Sequence, residues 1–223
     1  MSDTNDIRYL PYYSVSEAAM YLGVAKSTIR AWLGRQSNFE CIITPAQTSP
    51  LSLSFVNLIE LYVLISIRRK HKISMNKVRT GLEFLKKEFP SKHPLANKEF
   101  ATDGINLFME KTGKLYNITQ DGQTEMISVI QQYLKRVEHD DEGHPIRFYP
   151  MSRKGKLDQP KLILIDPAIS FGRPTVSDKA IPIDVIYERW TAGETIADLA
   201  KDYECTQEEI EEALRIPTTQ QAA

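Results

Sequence analysis

Cationic and hydroxyl side chains are concentrated in a short stretch near the start of the chain. Lys26, Ser27, Thr28 and Arg30 follow one another closely, and Arg35 comes five residues later. Lys and Arg bind phosphate oxygens, and these side chains, together with Ser and Thr, also hydrogen-bond to base edges in a DNA groove. The residue types therefore predict contact with nucleic acid, provided that one element presents them together.

The surrounding sequence predicts two short helices that would do so. Ser14 and Glu17 have the spacing of a capping box, and Gly23 suits the left-handed conformation that ends a helix. In the second helix, Ile29 and Leu33 are predicted to face inward, which leaves the cations on the opposite side. Such a helix-turn-helix can lie with its second helix in the major groove. The alternative is a helical hairpin that only contributes to a core.

The sequence of residues 15–33, VSEAAMYLGVAKSTIRAWL, resembles the DNA-binding start of the MerR and excisionase group. The resemblance implies a winged fold, in which a small β-wing and two further helices follow the helix pair. We assign the wing to residues 38–54 and the helices to Phe55–His71 and Met75–Glu88. The resemblance also implies phosphate contacts for the cations where these helices meet, although a solvated charged corner is the alternative. The cations at this junction are Arg68, Arg69, Lys70, Lys72, Lys77 and Arg79, of which the first four are our candidate phosphate contacts.

Composition places the chain among ordinary globular proteins and divides it by charge. It has 223 residues, of which 42% are hydrophobic and 26% charged, and two cysteines, too few for a disulfide framework. Residues 1–95 hold 13 Lys and Arg against 7 Asp and Glu, whereas residues 161–223 hold 6 against 12. The cationic residues 1–95 are therefore suited to binding a polyanion, whereas the anionic residues 161–223 are not. Without a signal-like start or a run long enough to span a bilayer, we expect a cytoplasmic protein and no membrane partner.

The middle region, residues 96–160, predicts a small antiparallel β-rich platform. Short apolar runs between Phe100 and Ile118, separated by Asp-Gly and Thr-Gly pairs, are typical of a β-meander. A short helix from about Thr124 to Tyr133 and a strand pair around the polar turn His139–His144 follow. Two imidazoles and three carboxylates lie in this turn, but nothing in the sequence would orient them as metal ligands, so we interpret it as a plain turn. We find no catalytic constellation, and we expect neither an enzyme nor a cofactor.

The last part, residues 161–216, predicts three short helices behind an apolar strand. Helix signals include Pro182 before an apolar face, the cap Thr195, and a capping box of Thr206 with Glu209. The order DP, GRP-V, IPI and W-x-A-G-E resembles a C-terminal domain of undefined function found in VapB-type antitoxins. Residues 178–180 depart from that pattern, since Asp-Lys-Ala stands where the family usually has Gly-Thr-Arg. The final helix carries four glutamates and is therefore unsuited to reading DNA.

Together these observations predict an α+β protein with a winged helix-turn-helix domain at 1–95, a middle region at 96–160, a trihelical domain at 161–216 and a disordered tail at 217–223. The two resemblances imply an antitoxin that neutralises a PIN-like ribonuclease encoded by the adjacent gene and represses their operon as a homodimer on double-stranded operator DNA. Linker cations are the candidates for contact with the acidic cleft of the toxin: Arg153, Lys154 and Lys156. The alternative is a MerR-like regulator whose middle region binds a small effector.

Overall fold

One long helix, α3 (Phe55–His71), lies at the centre of the structure. The structure, a computed structural model, describes residues 6–34, 41–71, 75–88, 91–116, 120–153 and 158–218. All residues from Phe55 to Ile67 are buried. The helix begins at Ser54, whose Oγ accepts a hydrogen bond of 3.1 Å from the backbone N–H of Asn57. This arrangement satisfies an amide that would otherwise be buried without a partner.

The N-terminal region combines a helix pair with a small sheet. Its helices are α1 (Val15–Leu22) and α2 (Lys26–Trp32), and its strands are β1 (Tyr13–Ser14), β2 (Gln47–Thr48) and β3 (Leu51–Leu53). The sheet is antiparallel in the order β1-β3-β2, with Tyr13 opposite Leu53 and Gln47 opposite Ser52. Strands therefore do form in the segment assigned to a wing, and they pair with a strand that precedes α1. Residues 35–40 lie outside the described part of the chain.

Three helices form a layer that packs on α3 through α6, and one of them, α5, corrects the prediction for the middle region. They are α4 (Met75–Glu88), α5 (Ile105–Tyr116) and α6 (Gln120–Leu134), and a π-helical turn at Phe100–Gly104 leads into α5. The predicted β-meander was wrong: the described residues from 100 to 116 are helical. Ile105, Phe108 and Met109 are all buried, and their spacing is that of one helix face. Because α4 packs on α5 and α3 packs on α6, this layer is continuous with the N-terminal region.

Two strand pairs link this helical layer to the end of the chain. β4 (Val137–His139) pairs antiparallel with β5 (Pro145–Phe148), which confirms the predicted strand pair around the polar turn. β6 (Ile163–Leu164) pairs with β7 (Thr175–Val176), and a bridge between Phe148 and Ile165 joins the two pairs.

The chain ends in three helices, as predicted: α7 (Ile183–Thr191), α8 (Ile196–Asp202) and α9 (Gln207–Arg215). Thr195 caps α8, and Thr206 with Glu209 forms the capping box of α9. Of the predicted disordered tail, only Pro217 and Thr218 are described, and Thr218 is buried. Among the residues that the structure describes, no helix combines the length and apolar character needed to cross a membrane.

Candidate nucleic-acid interface

The geometry of the α1–α2 pair follows from its caps. The Ser14 hydroxyl accepts a hydrogen bond from the backbone N–H of Glu17, and the Glu17 carboxylate accepts one from the backbone N–H of Ser14. The predicted capping box is therefore confirmed. Gly23 has φ 60° and ψ 43°, the left-handed conformation expected at the end of α1. Residues 23–25 then turn the chain into α2, which is anchored by the buried side chains of Ile29, Trp32 and Leu33.

Anchoring one face of α2 leaves the other face open to solvent. Lys26, Ser27 and Arg30 are exposed there, and Thr28 is half-buried. Among the residues that the structure describes, no carboxylate lies within 4.0 Å of the Lys26 ammonium or the Arg30 guanidinium. These two cations are therefore available to an anionic ligand, and Ser27 lies between them in sequence.

A third cation lies beside α2 and comes from the neighbouring helix. The guanidinium of Arg68, near the end of α3, lies 5.8 Å from the ring centroid of Trp32 on α2. This distance is typical of a cation–π contact, which fixes the arginine beside the helix pair. Arg69 and Lys70 belong to α3, but the structure does not describe their side chains, and Arg35 and Lys72 lie outside the described residues.

The predicted partner-binding cation Arg153 is engaged within the chain. Its Nη2 lies 2.8 Å from Oε2 of Glu212 on α9, and the Glu212 side chain is only 2% exposed. Nη1 of Arg215 donates to the same carboxylate oxygen at 2.7 Å, and the Ser152 hydroxyl donates to the other oxygen. Glu212 raises the pKa of Arg215 through this hydrogen bond. Lys154 and Lys156 lie outside the described residues.

A buried arginine, Arg136, holds the segment that carries Ser152 and Arg153. Arg136 is 4% exposed and donates to four backbone carbonyls, two of which are those of Tyr149 at 2.7 Å and Gln159 at 2.8 Å. The other two belong to Pro150 and Pro160. Burial lowers the pKa of Arg136. Since these carbonyls belong to residues 149–150 and 159–160, Arg136 fixes the chain on both sides of Arg153.

The N-terminal and C-terminal regions also touch directly. The buried Tyr13 hydroxyl of β1 donates to the carbonyl of Gly172 at 3.0 Å. Burial raises the pKa of Tyr13, so this group remains a protonated donor. A Cβ on Gly172 would lie only 2.2 Å from the Tyr13 Oη, so this close approach requires glycine.

A groove of about 530 Å³ opens between the α1–α2 turn and residues 215–217. Its apolar wall includes Met20, Val24, Ile65 and Ile216. Lys26 also lines the groove, so a bound molecule would lie against the first residue of α2. Sequence reasoning missed this groove because its walls come from segments almost two hundred residues apart.

The polar turn at His139–His144 is held by the chain itself. Nε2 of His139 is 3.0 Å from the carbonyl oxygen of Ala96, and the backbone N–H of His144 donates to Asp140 at 2.8 Å. Burial lowers the pKa of His139. In the described ranges, no three His, Cys, Asp or Glu side chains are grouped so that they could hold a metal ion.

Comparison with known proteins identifies two matching family models, each covering less than a quarter of the chain. The model described as "Protein of unknown function (DUF433)" matches residues 163–215, which contain α7–α9. The "NUMOD1 domain" model matches residues 2–33, which contain α1 and α2.

The chain matches a named protein and a solved structure over most of its length. A Mycobacterium tuberculosis protein named "Putative antitoxin VapB45" is 24% identical over 229 residues, which cover 92% of this chain and 93% of the relative. The crystal structure of Rv2018 from Mycobacterium tuberculosis aligns with a TM-score of 0.72 at 23% identity, covering 92% of this chain and 98% of that one. The second likeness shows that the whole arrangement of regions occurs as one fold.

Proposed function

We propose that the protein is the antitoxin of a type II toxin–antitoxin pair, which neutralises a PIN-like ribonuclease and binds operator DNA to repress its own operon. The observation that carries the proposal is the likeness to a protein named as an antitoxin over nearly the full length of both chains. A likeness confined to one region would support only a shared module. The exposed cations of α2 support the DNA-binding part.

In the proposed complex with DNA, α2 lies in the major groove. Lys26, Ser27 and Arg30 contact base edges from its exposed face, with Thr28 at the margin of that face. Arg68 contacts phosphate from the side of α3, and Arg35, Arg69, Lys70 and Lys72 complete the proposed phosphate contacts. A single seven-residue helix contacts few bases, so we expect a dimer on an inverted repeat.

The DNA-binding part is tested with Arg30→Ala. We expect operator binding to weaken by about 1–3 kcal/mol and sequence preference to relax, as for loss of a base contact. Lys201→Ala is the matched control, because Lys201 is an exposed cation on α8 and should not affect DNA affinity. The measurement is a titration of operator and scrambled DNA at one salt concentration. An equal loss on both DNAs would show that Arg30 contacts only phosphate.

The antitoxin part is tested by co-expressing the tagged chain with the product of the adjacent gene. A stable complex, together with toxicity of the neighbour when it is expressed alone, is the expected result. Absence of both would contradict the antitoxin role and leave the DNA-binding role standing.

A second candidate function is a MerR-like regulator that responds to a small effector. The groove between the α1–α2 turn and residues 215–217 favours it, since its volume of about 530 Å³ is in the range of ligand pockets and its wall is largely apolar. An effector bound there would lie against α2, not in the middle region as the sequence predicted. This function predicts a ligand-dependent rise in the melting temperature of the purified protein alone.

A further inference from the structure

The side chain of Phe171 is exposed to solvent on a turn whose backbone conformation is unfavourable. Phe171 is 78% exposed, although phenylalanine is normally buried. It lies in the turn Ser170–Gly172, whose three φ angles are 48°, 56° and 73°. Residues with a Cβ rarely adopt this left-handed region, and here two do so in succession. Strained residues of this kind persist where the surrounding structure fixes them, and they are concentrated at functional sites.

Contacts on both sides fix the turn. The Gly172 carbonyl accepts from the Tyr13 hydroxyl at 3.0 Å, and the backbone N–H of Arg173 donates to Ser170 at 3.2 Å. The Arg173 guanidinium is then paired with Asp184 of α7 at 3.0 Å. Phe171 therefore projects from a preorganised support, which lowers the entropy that its binding to another surface would cost.

A pocket that fits a phenyl ring lies beside the same turn. It has a volume of about 350 Å³ and is lined in part by Pro167 and Ala168, which precede Phe171 by four and three residues. Ile7 and Ile146 add apolar wall, and the rest of the lining is charged: Arg8, Arg147, Asp6 and Asp166. A cavity of about 150 Å³ can already hold benzene, and guanidinium groups attract aromatic faces. An exposed aromatic side chain and a pocket large enough for a phenyl ring are thus close together in the sequence.

The charges around Phe171 and the pocket are compatible with binding to a second copy of the same chain. A two-fold interface brings a surface against itself, so unpaired charges of one sign would repel. Here each arginine has its own carboxylate: Arg8 is paired with Asp6 at 2.7 Å, Arg147 with Asp166 at 3.1 Å and Arg173 with Asp184 at 3.0 Å. By contrast, residues 185–215 hold 9 Asp and Glu against 3 Lys and Arg, so that surface would repel its own copy.

We propose that the chain dimerises about a two-fold axis, with Phe171 of each copy inserted into the pocket beside Pro167 of the other. This inference rests on the proposed function in one respect, because operator binding calls for a dimer. Its test involves neither DNA nor toxin, so the two can fail separately.

The experiment is sedimentation equilibrium of the full chain. We expect a dimer for the unmodified protein and a rise of about tenfold or more in its dissociation constant for Phe171→Asn, since a buried aromatic anchor dominates such an interface. Asparagine tolerates the left-handed backbone, so the variant should melt no lower than the unmodified chain at concentrations where both are monomeric. Ala168→Trp fills the pocket from its own wall and should also weaken the dimer.

The matched control is Trp190→Ser, which removes another exposed aromatic side chain, 44% accessible, from α7 outside the proposed interface. It should leave the dissociation constant unchanged. A chain that stays monomeric at the highest soluble concentration would overturn the proposal. So would a dimer that neither Phe171→Asn nor Ala168→Trp weakens, or one that Trp190→Ser weakens as strongly.

Discussion

The interaction between Arg153 and Glu212 gives a quantitative test of how the last helix is held to the linker. Glu212 is 2% exposed and accepts hydrogen bonds from Arg153 at 2.8 Å and from Arg215 at 2.7 Å. Removing one partner of a fully buried ion pair costs about 3–5 kcal/mol. The two arginine side chains are 32% and 39% exposed, so water compensates them in part. We therefore expect Glu212→Ala to lower the free energy of unfolding by about 2–4 kcal/mol.

Replacing the arginine should cost less. Arg153→Ala removes the hydrogen bonds from Nε and Nη2 to Oε2 of Glu212, but Glu212 keeps Arg215 and Ser152 as donors, so the expected loss is only about 1 kcal/mol. In the Glu212→Ala background the same substitution should cost almost nothing, which gives a coupling energy of about 1 kcal/mol.

Urea unfolding of the four proteins measures these free energies, with unchanged m values as evidence that the compactness of the end states is the same. Equal costs of Arg153→Ala in both backgrounds would refute the reasoning. The same variants decide the predicted partner contact of Arg153. If Arg153→Ala loses the proposed toxin while its free energy of unfolding is unchanged, the guanidinium acts at the interface and not within the chain.

Two further substitutions test the docking of the N-terminal region and the charge state of the polar turn. Gly172→Ala should lower the free energy of unfolding by about 2–4 kcal/mol, because its Cβ would lie 2.2 Å from the Tyr13 hydroxyl and its φ is +73°. Urea unfolding should show a smaller loss of free energy when the same substitution is made in a Tyr13→Phe background. An equal loss in both backgrounds would contradict the proposed clash. Burial lowers the pKa of His139 from its ordinary value of 6.5, so below pH 6.5 the unfolded chain binds more protons than the fold does. The free energy of unfolding should therefore fall as the pH drops from about 7 to about 5, and His139→Gln should reduce this fall, as chemical denaturation across that range would show.

Local signals in the sequence predicted the helix ends well. The capping boxes of Ser14 with Glu17 and Thr206 with Glu209 are formed as expected, because both partners lie within one helical turn. Gly23 likewise takes the left-handed conformation that its position predicts. In each case the interaction that decides the structure is contained in four or five consecutive residues.

The middle region shows where such signals fail. Gly104 next to Asp103 is typical of a turn, but it is buried in the π-helical turn that leads into α5. Gly81 on α4 lies against Phe108, whose Cε2 would be 2.3 Å from a Cβ at that position. Glycine therefore serves the close packing of two helices here, and only the tertiary partner distinguishes that use from a turn.

The charge distribution also limits how the proposed toxin can be bound. The sequence-based hypothesis placed the back half of the chain over an acidic cleft, with Arg153 among its cations. In the structure, the arginines of α7 and α9 are already paired with carboxylates of the same region, Arg189 with Glu194 and Asp202, and Arg215 with Glu211 and Glu212. A surface formed by α7–α9 would therefore repel an acidic cleft. Occlusion of such a cleft requires a different part of the chain, whereas a cationic surface of the toxin would suit these three helices.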